Sequence, residues 1–292
     1  MTVSIKNNYL TVEIASKGAE LQSIRSNGTE IEYLWQGDKE YWNRKSPVLF
    51  PIVGRLKEDS YTYRGQTYSM TQHGFARDED FELVEQEEQK VVFQLTSSEK
   101  SKQLYPFDFA LLIAYEVIEN TVQVSYSVKN TADSEQMYFS IGGHPGFNVP
   151  LTESTKFEDY YLSFLPRRSR KQIPLQGPYA DTAHTTLAQT NTTLRLDREL
   201  FDNDALVFEV KNSNTFSIQS DKTPHSVEVT FENHPYVGVW SVPGKKAPFV
   251  CIEPWHGIAD TVDASGKLED KLGIQTLSAQ ETFQTKYSIQ IN

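Results

Sequence analysis

His144 stands where an alternating run stops at two glycines, in Tyr138-Phe139-Ser140-Ile141-Gly142-Gly143-His144-Pro145-Gly146-Phe147-Asn148. The glycines permit close backbone approach or positive φ, and Pro145 biases its predecessor toward an extended conformation. An imidazole at a strand end has an unperturbed pKa of about 6.5 and can give or take a proton near neutrality. Taken alone, the same residue reads more readily as a turn histidine bonded to its own backbone, and the rest of the chain shifts that balance. A second titratable group closes an apolar run at Glu253, in Phe249-Val250-Cys251-Ile252-Glu253-Pro254-Trp255-His256-Gly257. A carboxylate at the end of a buried-looking strand is costly unless paired or used, which makes Glu253 the best general-base candidate in the chain. Trp255 beside it is an aromatic platform of the kind that packs on the apolar face of a small ring such as a sugar.

Three further places concentrate polarity. Arg55 ends the apolar stretch Pro47-Val48-Leu49-Phe50-Pro51-Ile52-Val53-Gly54 and requires an acceptor, either a protein carboxylate or several ligand oxygens. His73, in Gln72-His73-Gly74-Phe75-Ala76-Arg77, is a hydrogen-bond donor to a ligand or a plain loop residue. In Asp202-Asn203-Asp204-Ala205-Leu206, Asp204 abuts the following apolar run and is favoured over Asp202 to accept from ligand hydroxyls; turn chemistry explains either aspartate as well. The basic run Arg167-Arg168-Ser169-Arg170-Lys171 is a solvated loop or a clamp for a phosphate.

The six histidines show no HExxH or H-x-H spacing, and Pro254 interrupts helical geometry between Glu253 and His256, so no metal site is expected. The chain also lacks a G-x-S-x-G elbow, a P-loop and a dinucleotide fingerprint, and no cofactor is expected. A net charge of −11 argues against nucleic acid or an anionic membrane as partner and favours a small neutral ligand. One cysteine, Cys251, excludes an internal disulfide and fits a reducing cytoplasm; no signal-like or membrane-spanning stretch is evident.

The elements that must hold these groups have period two. Val122, Val124, Tyr126 and Val128 alternate with polar residues, as do Val91, Phe93 and Leu95, then Val227, Val229 and Phe231, then Tyr287, Ile289 and Ile291. Turn signals at Asn7-Asn8, Asn27-Gly28, Arg64-Gly65 and Pro243-Gly244 punctuate them, with neither a long amphipathic helix nor a βαβ rhythm. The 16 Phe and 15 Tyr suit pleated, half-buried surfaces. The pattern predicts an all-β protein, a single domain over residues 1–292 built from stacked or closed antiparallel sheets, with residues 166–193 as loops over one face.

In their order, these motifs resemble the aldose 1-epimerase (mutarotase) family, and within it the LacX-type branch, along essentially the whole chain. Gly54-Arg55-Leu56 resembles the family's substrate-binding arginine motif and His73-Gly74 its first active-site histidine. Lys129-Asn130-Thr131 followed by Tyr138 to Asn148 resembles its strand and second histidine, which implies His144 as general acid. Glu253 falls at the family's base and Asp204 at its sugar-binding aspartate. Two departures bear on sugar preference: Val53-Gly54 replaces an asparagine before the arginine, and Gly74-Phe75 replaces two glycines after the first histidine.

The resemblance implies a large antiparallel β-sandwich with few short helices and cofactor-free interconversion of the α and β anomers of a free aldohexose. It places the imidazole and carboxylate across a gap the width of a pyranose ring. Two rival expectations share the fold: a hexose-phosphate mutarotase, and a non-catalytic sugar-binding or sensor protein.

Overall fold

A computed structural model describes all residues, 1–292, and two large antiparallel sheets dominate it. The alternating sequences form the longest strands. Along Thr121–Asn130, Val122, Val124, Tyr126, Val128 and Asn130 are buried and the residues between them half-buried, as a sheet with one wet face requires. This strand pairs on one side with Phe109–Ile118 through a tight turn, Thr121 opposite Ile118, and on the other with Thr282–Ile291. Leu194–Arg195, Tyr160–Leu165, Ser213–Ser220 and Thr223–Glu232 extend the sheet beyond Thr282–Ile291, and Lys90–Thr96 and Glu82–Gln86 extend it beyond Phe109–Ile118, giving nine strands.

The second sheet carries the candidate site. Its strands in chain order are β1 (Val48–Leu49), β2 (Ile141–Gly143), β3 (Gly146–Asn148), β4 (Arg170–Ile173), β5 (Thr186–Ala188), β6 (Leu206–Glu209), β7 (Tyr236–Trp240) and β8 (Phe249–His256). Their spatial order is β5-β4-β6-β7-β8-β2-β1, with β3 also pairing to β8. The main core lies between the two sheets, where Val250 and Ile252 of β8 join Val122, Val124, Val229 and Ile289. All eight residues of β8 are buried, because its other face is roofed as well: Phe249 and Cys251 pack with Trp35, and Trp255 with Val207 and Ile258. A strand covered on both faces reads as a continuous apolar run, and Glu253 is the interruption in it.

Helix is confined to 3-10 turns and one α-helical turn, Glu99–Lys102, capped reciprocally by Ser98 and Ser101. No helix is long and apolar enough to cross a membrane. Residues 166–193 differ from the loop expectation. They contain β4, β5 and the small hairpin Leu175–Gln176 with Tyr179–Ala180, each too short to show a period in sequence.

Candidate active site

His144 and Glu253 arrive at one point from neighbouring strands. Gly142 of β2 lies opposite Trp255 and Gly146 of β3 opposite Cys251, so the turn between β2 and β3 sets His144 beside Glu253. The glycines are required by close approach. A Cβ on Gly142 would lie 2.6 Å from the Trp255 ring and one on Gly238 of β7 would lie 2.5 Å from it, so the indole rests across both adjoining strands. His144 Nε2 and Glu253 Oε2 are 3.2 Å apart, closer than a ring-wide gap, because adjacent strands are the elements that carry them. The approach is out of hydrogen-bond alignment: Oε2 has no hydrogen-bond partner, nor does His144 Nδ1, and both residues are over nine-tenths buried.

Burial, and then the charge of Asp204, push the Glu253 carboxyl well above its ordinary range. Burial, and then the Arg77 guanidinium, draw His144 down to about 3. Both shifts favour uncharged forms, a carboxylic acid beside a neutral imidazole. With no bond to fix the ring, aromatic packing orients it. Trp42 packs on His144 at 4.8 Å between centroids with a 31° tilt, while Trp240 and His73 meet it edge-on at 5.6 Å each.

His73, Asp204 and Trp255 line the same cavity of about 320 Å³ as the pair. His73 Nδ1 accepts from the Gly54 amide at 3.1 Å, which leaves Nε2 as the protonated nitrogen, a donor. His73 adopts φ +67° and Gly74 φ +73°; a Cβ on Gly74 would lie 2.2 Å from the Phe50 carbonyl oxygen, so only glycine fits behind the histidine. Asp204 follows the 3-10 turn Arg198–Phe201 at φ +71°, its amide donating to the Phe201 carbonyl, and burial raises its carboxyl while the Ala205 amide and Trp240 oppose the shift. Asp202 is exposed and does not line the cavity.

Arg55 does not line it either. Its guanidinium makes a double contact with Asp59, Nε to Oδ1 at 2.8 Å and Nη2 to Oδ2 at 2.6 Å, at the half-exposed surface. Of the two acceptors the sequence left open, the structure supplies the protein carboxylate. The sole Lys or Arg lining the cavity is Arg77, whose Nε is buried without a partner. The basic run stays away: Arg167 is exposed, Arg170 is buried against Thr190 and Asn214, and Lys171 pairs with Glu209. Lys171 belongs to a separate cleft of about 390 Å³, where Lys271 and Asp260 form a buried ion pair at 2.9 Å.

Residues 1–271 match the sequence profile of aldose 1-epimerase. The chain belongs to the aldose 1-epimerase family. It is 34% identical to the LacX protein of Lactococcus lactis over all of this chain and 99% of that one. Among solved structures it is similar to a galactose mutarotase related enzyme from Lactobacillus acidophilus, at 42% identity and TM-score 0.98, covering 100% of this chain and 97% of that one. It is also similar to a galactose mutarotase-like protein from Lactobacillus casei, at 32% identity and TM-score 0.90 over the whole of both chains. The fold is the galactose mutarotase-like antiparallel β-sandwich.

Against this family background, Trp42, Trp240 and Arg77 are cavity residues beside the acid-base pair that escaped the sequence. Trp42 lies in an irregular loop with no period to mark it, and its position is set by Trp42 N–H to Asp38 O and by Trp35 Nε1–H to Trp42 O. Arg77 had a visible signal, since it lies four residues past His73 in a segment already conspicuous, but spacing in a 3-10 turn does not reveal which way a side chain leaves.

Proposed function

We propose that the protein is an aldose 1-epimerase in activity as well as family, interconverting the anomers of a free aldohexose. The observation that carries this reading is the 3.2 Å approach of His144 Nε2 to Glu253 Oε2 inside a cavity of about 320 Å³. That volume is at the small end of ligand sites, which run roughly 300–1,000 Å³, and suits one sugar ring. The two oxygens that exchange protons in mutarotation are both bonded to C1, so the acid and the base must themselves be neighbours. A gap the width of the ring would separate them too far.

The proton count closes. With the proton on His144, the Glu253 carboxylate takes the C1 hydroxyl proton while the imidazolium protonates the ring oxygen, and the C1–O5 bond breaks to give the aldehyde. The pair is then a carboxylic acid and a neutral imidazole, the forms that burial favours, so the cavity stabilises the open-chain state. Rotation about C1–C2 and the reverse transfers close the ring on the other face of the carbonyl. His73 Nε2–H and the Trp255 indole, whose nitrogen has no protein partner, are donors for ring or hydroxyl oxygens, and Asp204 accepts from hydroxyls. Neither redox change nor group transfer occurs, so the reaction needs no cofactor. The galactose in the names of the two solved relatives makes galactose, with glucose, the first substrate to try.

The test is polarimetry of freshly dissolved α-D-galactose and α-D-glucose. Wild-type protein should accelerate mutarotation, and Glu253→Gln and His144→Asn should remove the acceleration while leaving the fold intact. Unchanged rates in both variants would end the assignment, and no acceleration with any free sugar would favour the binding protein. One observation supports a hexose phosphate as the alternative substrate: Arg77, with its unpartnered Nε, is the cation at the cavity. Competition by hexose phosphates that Arg77→Gln relieves would establish that reading over the free sugar.

A further inference from the structure

The sole cysteine lies against the acid-base pair. On β8, Cys251 and Glu253 are two residues apart and project to the same face, and His144 faces them from the turn between β2 and β3. A nitrogen of His144, Sγ of Cys251 and a carboxylate oxygen of Glu253 all lie within 4.8 Å of one another, and all three residues are buried. In a tetrahedral zinc site, bonds of about 2.0–2.3 Å put neighbouring ligand atoms about 3.3–3.8 Å apart. The His144–Glu253 approach of 3.2 Å is already near that span, and Sγ, within 4.8 Å of a nitrogen and an oxygen of the pair, lies about an ångström or less beyond it. Glu253 Oε2 is buried, without a hydrogen-bond partner, and points at His144 Nε2 from 3.2 Å.

We infer that His144, Cys251 and Glu253 form an inhibitory site for a thiophilic divalent cation, zinc in particular, that excludes sugar. A thiolate with imidazole and carboxylate is a zinc donor set and discriminates against magnesium and calcium, which take oxygen ligands. His144 and Glu253 line the cavity and Cys251 does not, so the fourth coordination position opens toward the sugar side. Binding releases the thiol proton and the proton of the pair to solvent and occupies both proton-transfer groups. The inhibitory consequence rests on the epimerase reading, whereas the site itself does not.

The experiment titrates metal-free protein with Cd²⁺ and follows the ultraviolet thiolate-to-cadmium charge-transfer band, then measures mutarotation in Zn²⁺. The band should saturate at one equivalent and be absent in Cys251→Ser, with Cys251→Ala as a second variant should the first fold poorly. Glu253→Gln and His144→Asn should weaken cadmium binding at least about tenfold. Zinc should slow mutarotation reversibly to a chelator and in competition with sugar, and Cys251→Ala should tolerate at least about tenfold more zinc, relative to its own metal-free rate. The surface pair His184–Asp181, at 2.7 Å, and the adjoining His234 and His256 also offer metal donors, but neither gives a thiolate band. A folded wild-type protein without the band, or zinc inhibition of Cys251→Ala as strong as of wild type, would overturn the inference. A band in a protein without mutarotase activity would retain the metal site and reject the enzyme.

Discussion

The contact between His144 and Glu253 makes a quantitative demand on mutagenesis. A positioned acid or base typically contributes about 10²- to 10⁴-fold, equal to about 2.7–5.5 kcal/mol of barrier. Independent groups would multiply, and the double variant would lose about 10⁴- to 10⁸-fold. Here the two groups are 3.2 Å apart and act in one step, one taking a proton from the sugar as the other gives one, so removing either leaves the other without its counterpart. Glu253→Gln and His144→Asn should therefore each lose the full effect, and the double variant should be no more than about tenfold slower than either single one. Stability should change little in Glu253→Gln, because Oε2 forms no hydrogen bond that the amide would lose and the buried carboxyl is already held uncharged. The assay is initial mutarotation rate by polarimetry across the four-protein cycle, with thermal melts as the control. Losses that multiply would show two separate catalysts and refute the one-step reasoning.

Three other outcomes follow from the same geometry. Arg55→Gln should leave mutarotation nearly unchanged because its guanidinium serves Asp59, while Arg77→Gln should alter KM or the response to hexose phosphates; steady-state kinetics on both variants compares them directly. Trp42→Ala removes the ring packed on His144 and should lower kcat about tenfold, with Trp42→Phe recovering most of it, since one aromatic contact is worth about 0.5–1.5 kcal/mol. His234 and His256, their rings 4.3 Å apart and tilted by 47°, are drawn by burial down to about 4 and about 3. The unfolded chain therefore binds more protons than the native one below pH 6.5, and stability falls as pH drops from there toward 4, by up to about 1.4 kcal/mol per histidine per unit. Denaturant melts at pH 7 and pH 5 should show the loss, and His256→Gln should reduce it.

Much of the architecture was legible because alternation is a local property. Val122 to Val128 and Tyr287 to Ile291 each carry their own inward and outward faces, and the structure pairs these two strands directly. The short strands β4 and β5 were not legible, since three or four residues cannot establish a period and their place comes from pairing with β6 and with each other. Among the candidate site residues, His73, His144, Asp204 and Glu253 announced themselves as polar groups at the ends of apolar runs, and they line one cavity. Arg55 announced itself in the same way and lies elsewhere. An arginine after an apolar run needs an acceptor, and local sequence does not say whether Asp59, four residues on, or a ligand will be that acceptor.

By itself the sequence determined the β-sandwich and the family, because period-two burial and ordered motifs are written in neighbouring residues. The tertiary structure alone decided that His144 and Glu253 touch, that Arg77 lines the cavity and Arg55 does not, that Trp42 covers the imidazole, and that Cys251 lies within 4.8 Å of the pair. Those facts depend on strand neighbours more than a hundred residues apart in the chain, and on the direction in which side chains leave irregular turns. Strand pairing and side-chain direction of this kind are settled only when the sheets close on one another.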